Sequence, residues 1–572
     1  MNKISVLPPD VVSRIAAGEV IERPASVVKE LVENSLDAGS SSVSIELKSA
    51  GKTLIAVRDD GSGIAQDGVE SLFQRHATSK ISSAEDLFDI HSLGFRGEAL
   101  YSVAAVSDVT LSSKSGSDEH GWETHVRAGE RLTLKPAAVR QGTSIEVKEL
   151  FFNTPARRKF LKSNAAELNA VIDVFLPYCL LFPEKRFSLK SDSKSFIDLR
   201  PVKGFIPRIA QALNLETKDL IEGERQYRDI SLHVVLGDIN VQRGRKDMQF
   251  VFINGRPVSN RTVSFHVNEI YRLMLSPGVY PFFCVFITMP PSELDVNVHP
   301  AKREVKLRDD IALVSVLRPF VEELLMTRSK PRQSAPFAVP EMKTGPAAQT
   351  TEIPGIKEPE KGYGKALEES LALFKTGLAQ EKDAGLKEKL RQARYLGNLL
   401  RRYLLFETED SLLLVDQHAA QERITFERLT RQIEKGKVEV QPLLAPELLK
   451  LSPQELVLWK ENSETLKKTG FETTLYDPVT LAVHSHPALI TDVAQSVRNL
   501  LSGEPISKLS PERIARMACR SSVMFGFAMN PEQAEFQRKS LLLCDAPFAC
   551  PHGRPTVIEI KEETLRKQFL RP

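Results

Sequence analysis

Five short stretches of this chain combine residue types that chemistry needs. Within Arg23–Gly39, Glu30 and Asn34 are four residues apart, so on a helix they lie one above the other with Asp37 close by. A carboxylate stacked over a neutral amide suits a general base beside an amide that ligates Mg²⁺ near crowded phosphate charge. Taken alone, the pattern is equally the ordinary polar face of an amphipathic helix. Asp59–Gly63 follows the apolar run Leu54–Val57, which puts a carboxylate at a strand end and glycines where a ligand meets bare backbone. Gly94–Leu100 opens a helical run through Val106, so its N–H groups suit phosphates at a helix N-terminus. Between these strings, Arg75–Lys80 is polar and poorly periodic, as expected of a mobile lid.

The other two stretches lie near the C-terminus. Ser411–Asp416 reads as a buried strand ending in a carboxylate and running into a helix, where His418 and Glu422 share one face and can hold the same metal. Glu427 falls half a turn off that face and is expected to support rather than ligate. Cys519 lies in the helical pattern Pro511–Phe527, and Cys550 with His552 sits in a turn whose spacing is not that of a zinc finger. The remaining thiols, Cys179, Cys284 and Cys544, occupy apolar runs and read as core, and His484 with His486 reads as structural.

The elements that position these groups follow from length and composition. At 572 residues, with 42% hydrophobic and 26% charged residues, the chain is expected to form three to four soluble domains. Five cysteines, an odd number, exclude a disulfide scaffold and fit a reducing, cytoplasmic location. No signal peptide is expected at Met1–Glu19, which is interrupted by charges, and no membrane span is expected in the proline-rich uncharged stretch between Arg272 and Glu293. Net charge is only +3, so contact with nucleic acid has to come from local strips: Arg157, Arg158 and Lys159; Arg243, Arg245 and Lys246; Arg256 and Arg261. Without interleaved aromatics these strips suit sequence-independent, salt-sensitive binding to a DNA backbone, and each also reads as solvated surface. Six prolines within residues 331–360 mark a linker, with room for a short helix at Lys365–Phe374. The chain therefore reads as two arms on a tether.

In chain order, Glu30–Asn34, Asp59–Gly63, Gly94–Leu100 and Gln141–Ser144 resemble the four motifs of the GHKL ATPase superfamily. The more specific strings Ile15–Ile21, Arg75–Lys80 and Asn153–Phe160 resemble its mismatch-repair branch, the MutL family. That resemblance implies an α+β multidomain fold: a GHKL ATPase sandwich over residues 1–200, a ribosomal-protein-like βαβ transducer domain over 201–328, a flexible, disordered linker over 329–389 and an α/β C-terminal dimerisation and endonuclease domain over 390–572. It implies that Glu30 is the base for ATP hydrolysis, Asn34 holds Mg²⁺, and Asp59 accepts the adenine amino group with Gly63 and Thr143 beside it. Thr78, Ser79 and Lys80, with Gly94, Phe95, Arg96, Gly97, Glu98, Ala99 and Leu100, would wrap the phosphates, and Lys302 would reach the γ-phosphate from the second domain.

Asp416–Glu427 resembles the motif of nuclease-type members at every fixed position, and Phe569–Arg571 resembles its companion. This implies a site built from Asp416, His418, Glu422, Cys519, Cys550 and His552, whose mixed S, N and O donors suit Zn²⁺ and whose carboxylates suit Mn²⁺ or Mg²⁺ during strand nicking. The implied partners are a second copy of the chain, the mismatch sensor MutS, double-stranded DNA, and a sliding clamp taken by Gln441, Leu443 and Leu444 of Gln441–Pro446. One alternative is a non-enzymatic, ATP-switched matchmaker with only structural zinc. Another, a topoisomerase-type subunit, fits the C-terminal motifs less well.

Overall fold

Pro24 fixes the first turn of the helix Pro24–Asp37, and Val27, Val28, Leu31, Val32 and Leu36 form its buried stripe. Each contributes roughly 1.5–3 kcal/mol of burial. In the computed structural model this helix lies on an eight-stranded sheet. The described residues are 21–74, 77–80, 92–94, 97–243, 245–272, 274–275, 279–295, 306–307, 310–328, 378–501, 510, 514–515, 529–551 and 553–568.

The strands are β1 (Ser42–Lys48), β2 (Leu54–Asp59), β3 (Asp108–Lys114), β4 (Gly121–Arg127), β5 (Glu130–Ala137), β6 (Gly142–Lys148), β7 (Arg186–Ser191) and β8 (Lys194–Leu199). Their order is β5-β4-β3-β6-β2-β1-β7-β8, and only the β1–β7 pairing is parallel. Alternation turns Val43, Ile45 and Leu47 of β1, and Val109 and Leu111 of β3, into the core beneath the helices. The helix Asn164–Leu181 packs beside Pro24–Asp37 to complete a two-layer sandwich. By length and apolar composition that second helix passes for a membrane span, but it is mostly buried in the core. The β2–β6 register pairs Asp59 directly with Thr143.

A second sheet runs in the order Arg256–Val258, Gln249–Ile253, Phe283–Thr288, Ile230–Gly237, Leu220–Tyr227. Gln249–Ile253 and Phe283–Thr288 are parallel, with the helix Arg261–Tyr271 between them in sequence, which makes the expected βαβ unit. The helix Asp310–Arg328 packs against Arg261–Tyr271 over a separate apolar core. The C-terminal part has a four-stranded antiparallel sheet (Arg394–Leu399, Tyr403–Glu407, Ser411–Asp416, Val557–Lys561) and a three-stranded one (Val440–Lys450, Thr480–Pro487, Glu472–Leu475). The chain is thus mixed α+β and multidomain.

One expectation changes. Residues 378–389, read as linker, belong to the helix Leu378–Gln392, whose Leu390 is buried in the C-terminal core. The rest of the expected linker, including Lys365–Phe374, lies outside the described residues.

The arms also touch. The capped helix Pro453–Lys468 packs on Asn164–Leu181, and Lys460 stands 4.4 Å over the Phe196 ring. Glu455 bridges Arg243 (3.6 Å), from beyond the βαβ sheet, and Arg498 (3.2 Å) of its own arm. Burial would push the Glu455 carboxyl up, yet the two guanidiniums and the Ser452 cap hold it below its ordinary value. Removing one partner of a buried pair leaves an uncompensated charge. Glu455→Gln should therefore destabilise the full chain by about 3 kcal/mol, read by scanning calorimetry against wild type; an unchanged melting profile would show that the pair contributes nothing.

Candidate nucleotide and metal sites

With its apolar stripe on the sheet, the helix Pro24–Asp37 turns Glu30, Asn34 and Asp37 away from the core. Lys80 reaches across to both of the latter, its Nζ lying 2.8 Å from Asn34 Oδ1 and 2.5 Å from Asp37 Oδ2. Asn34 therefore presents its carbonyl oxygen to a positive charge, the orientation a Mg²⁺ ligand needs. Asp37 also accepts the backbone N–H groups of Leu93 (2.8 Å, on Oδ1) and Gly94 (3.1 Å, on Oδ2). Gly94 seals this cluster: a Cβ there would lie 3.3 Å from Lys80 Nζ. Thr78 Oγ1 accepts the Lys80 N–H at 3.2 Å, a bond within the expected lid itself.

Glu30 is held from behind. Lys29 Nζ lies 3.2 Å from its Oε1 and 3.0 Å from Glu33 Oε1, and Tyr178 donates its hydroxyl to Glu33. Burial would lower the Lys29 ammonium, but the two carboxylates more than offset it and raise it. Burial also raises Glu33, against the pull of Lys29. These braces were not singled out from the sequence; their signal is a polar triad placed partly within the buried side of the helix.

Asp59 closes the other end. Its Oδ2 accepts Ser35 Oγ at 2.7 Å, and its Oδ1 accepts Gly61 N at 3.0 Å and Thr143 N at 3.3 Å. Burial raises the Asp59 carboxyl and the adjacent Asp60 adds to it, while the three hydrogen bonds pull it down. Ser113 Oγ bridges Gly142 O (2.9 Å), Thr143 Oγ1 (3.0 Å) and the Ile64 N–H (2.9 Å), so β3, β6 and the loop after Gly63 converge here. Gly63 is required by geometry, with φ +72° and Lys114 O only 1.8 Å from a would-be Cβ. Ser35 is the residue that sequence reasoning missed: a serine in the buried stripe, one position past Asn34.

Of the remaining phosphate-side residues, Ser79 is exposed, Gly97 (φ +62°) and Glu98 lead into the helix Ala99–Ala105, and Leu100 packs into the core. Phe95, Arg96 and Lys302 lie outside the described residues. A cavity of about 1410 Å³ opens on the adjoining side of the helix, lined by Lys29, Glu33, Leu93, Tyr178 and Arg256. It does not include Glu30, Asn34 or Asp59.

At the C-terminal site, Asp416 caps the helix Gln417–Glu434, its Oδ1 accepting His418 N at 2.9 Å and Ala419 N at 3.0 Å. One turn on, His418 Nε2 and buried Glu422 Oε1 are 3.4 Å apart, so imidazole and carboxylate converge as two donors to one metal would. Glu427 is committed elsewhere, accepting Asp545 N (2.7 Å) and Ala546 N (3.1 Å) and pairing with Arg423 and Arg431, which is the supporting part expected of it. Arg423 Nε also donates to Ala549 O, tying the turn that carries buried Cys550 to the same helix. Cys519 and His552 lie outside the described residues, and among the described residues no group of three or more His, Cys, Asp or Glu is arranged to hold a metal. Cys179, Cys284 and Cys544 are buried, as expected of core thiols.

The basic strips separate. Arg158, Lys159 and Arg261 are exposed and Arg157 is half-buried. Arg243 is buried against Glu455 by the docked arm and is not part of a free strip, a correction to the Arg243–Lys246 expectation. Arg256 donates to Ser92 O at 2.6 Å. In Val440–Lys450 the ladder register shifts between Pro442 and Glu447, leaving Leu444 fully exposed, while Gln441 pairs with His486 and Leu443 is half-buried.

Residues 21–139 match the family described as "Histidine kinase-, DNA gyrase B-, and HSP90-like ATPase", 209–326 match "DNA mismatch repair protein, C-terminal domain", and 396–528 match "MutL C terminal dimerisation domain". Among solved structures, the "N terminal domain of a DNA repair protein" shares 25% identity at a TM-score of 0.49, covering 55% of this chain and 98% of that one. The DNA mismatch repair protein MutL of Clostridium acetobutylicum is 33% identical and that of Thermodesulfovibrio yellowstonii 34% identical, each alignment covering 100% of both chains. With a GHKL ATPase domain at one end and a dimerisation domain at the other, the chain belongs to the MutL family of DNA mismatch repair proteins.

Proposed function

We propose that the helix Pro24–Asp37 carries out ATP hydrolysis and that this reaction drives a homodimeric clamp on DNA. The observation that supports this most is that a single helix fastens both ends of the site. Ser35 braces Asp59 at one end, and Asp37 gathers Lys80 and the Leu93 and Gly94 amides at the other. Asp59 accepts the adenine amino group. Lys80, freed from the Asn34 oxygen, would meet the phosphates, and Asn34 would hold Mg²⁺, which when bound would neutralise phosphate charge. Glu30, steadied by Lys29, takes a proton from water as the new O–P bond forms and the bond to the ADP oxygen breaks.

Two substitutions separate these roles. Glu30→Ala should bind ATP within about threefold of wild type and hydrolyse it at least about 100-fold more slowly, the range general-base removal gives. Asp59→Asn keeps Oδ1 for the two N–H donors and lets Ser35 Oγ accept instead. Because burial raises the Asp59 carboxyl, the ionised form costs the fold stability above its own pKa and that cost fades as pH falls through it. At pH 7 Asp59→Asn should therefore melt no lower than wild type while losing ATP binding. Calorimetry and a phosphate-release assay check both; full turnover by Glu30→Ala would contradict the assignment.

The C-terminal site reads best as a nicking endonuclease, supported by the convergence of His418 with Glu422 and by the capped Asp416 beside them. Asp416, His418, Glu422 and Cys550, with Cys519 and His552, would hold Zn²⁺ or Mn²⁺, which when bound supplies Lewis-acid activation for phosphodiester cleavage. The partners on this reading are MutS, double-stranded DNA met by Arg157, Arg158 and Arg261, and a sliding clamp met at Gln441, Leu443 and the exposed Leu444 of the bulged strand. Asn is as good an N-cap as Asp, so Asp416→Asn removes the charge and keeps the helix. In Mn²⁺, wild type should nick supercoiled plasmid and Asp416→Asn should not; equal activity in both, or none in either, would favour a matchmaker without nuclease chemistry.

A further inference from the structure

The second sheet reaches into the phosphate side of the nucleotide site through one side chain. Arg256 follows a tight turn at Asn254 and Gly255, both with positive φ (+47° and +73°). The Asn254 side chain locks that turn to the next strand, donating to Met289 O at 2.8 Å and accepting Met289 N at 2.9 Å. From this rigid base the Arg256 guanidinium donates to Ser92 O at 2.6 Å, 164 residues away in sequence. Ser92 Oγ in turn donates to Gly94 O at 2.7 Å, and Leu93 N and Gly94 N are the two amides held by Asp37. Asp37 takes Lys80, and Lys80 takes Asn34. An unbroken hydrogen-bonded path therefore joins the βαβ sheet to the amide proposed to hold Mg²⁺.

We infer that Arg256 is a positioning residue for ATP hydrolysis, holding the Ser92–Gly94 strap against Asp37 so that Asn34 and Lys80 face the phosphates correctly. The inference rests on the ATPase reading above. It gives Arg256 a role at the nucleotide site that is separate from the expected DNA contact. Arg is suited to the task by its length and planar fork of donors, and Lys retains a donor without the fork.

The test uses the full chain without DNA. Arg256→Met should lower kcat at least about tenfold, the scale a misplacement at a reacting centre produces. Its KM for ATP should change less than about threefold, its melting temperature should match wild type, and its low-salt DNA affinity should be unchanged. Arg256→Lys should recover a substantial part of kcat, a rescue and a kcat-against-KM split that a merely structural role would not give. An active wild type with an equally active Arg256→Met overturns the inference alone, and a selective loss of DNA affinity in that variant returns Arg256 to DNA contact. A wild type that hydrolyses no ATP sinks the ATPase reading and the inference with it.

Discussion

The Asp37 carboxylate is the interaction on which the nucleotide end of the molecule depends. It is the last residue of its helix, where the helix dipole disfavours an anion, so its position has to be offset by positive partners. It finds an ammonium from Lys80 and two N–H groups from Leu93 and Gly94, segments with no other evident reason to meet. Charge-assisted hydrogen bonds of this kind are stronger than neutral ones, and partial burial keeps water from competing with them. The requirements then cascade. The helix must end at Asp37, must start near Pro24 for its apolar stripe to cover the sheet, and must lie where Ser35 meets Asp59 on β2.

The same carboxylate connects the domains. Through the Ser92–Gly94 strap it is linked to Arg256, and so to the second sheet, one face of which has its own apolar core. A second junction, Glu455 between Arg243 and Arg498, docks the C-terminal arm on the same two units. Both junctions set charge beside apolar contact: one buried cluster runs from the sandwich through Val235, Phe252 and Cys284 of the second sheet to Leu451, Leu456 and Val457 of the arm. A fully satisfied charged junction holds one geometry and costs much when a single partner is withdrawn.

What was legible in the sequence is what periodicity and spacing carry. The helix Pro24–Asp37 shows in its apolar stripe, and Glu30, Asn34 and Asp37 on one face follow from 3.6 residues per turn. His418 and Glu422 meet for the same reason, and Asp59 at a strand end follows from the apolar run before it. What stayed hidden are partners distant in the chain. Nothing in local pattern says that Lys80 reaches Asn34, that Ser35 donates to Asp59, or that Arg256 spans to Ser92. Arg243 looked like part of a basic surface strip because its burial depends on an arm 200 residues away. The helix Leu378–Gln392 was read as linker because its stripe is short, with Leu386 and Leu390 the apolar residues it sends to the core, and charges fill the rest.

The central claim is that Asp37 organises the phosphate side of the nucleotide site while Asp59 independently serves the base. Equilibrium binding of MgATP and of adenosine to Asp37→Asn tests this most directly. The account expects MgATP affinity to fall at least about tenfold, roughly 1.4 kcal/mol, with adenosine binding held within about twofold of wild type. Undiminished MgATP affinity in that variant would contradict it.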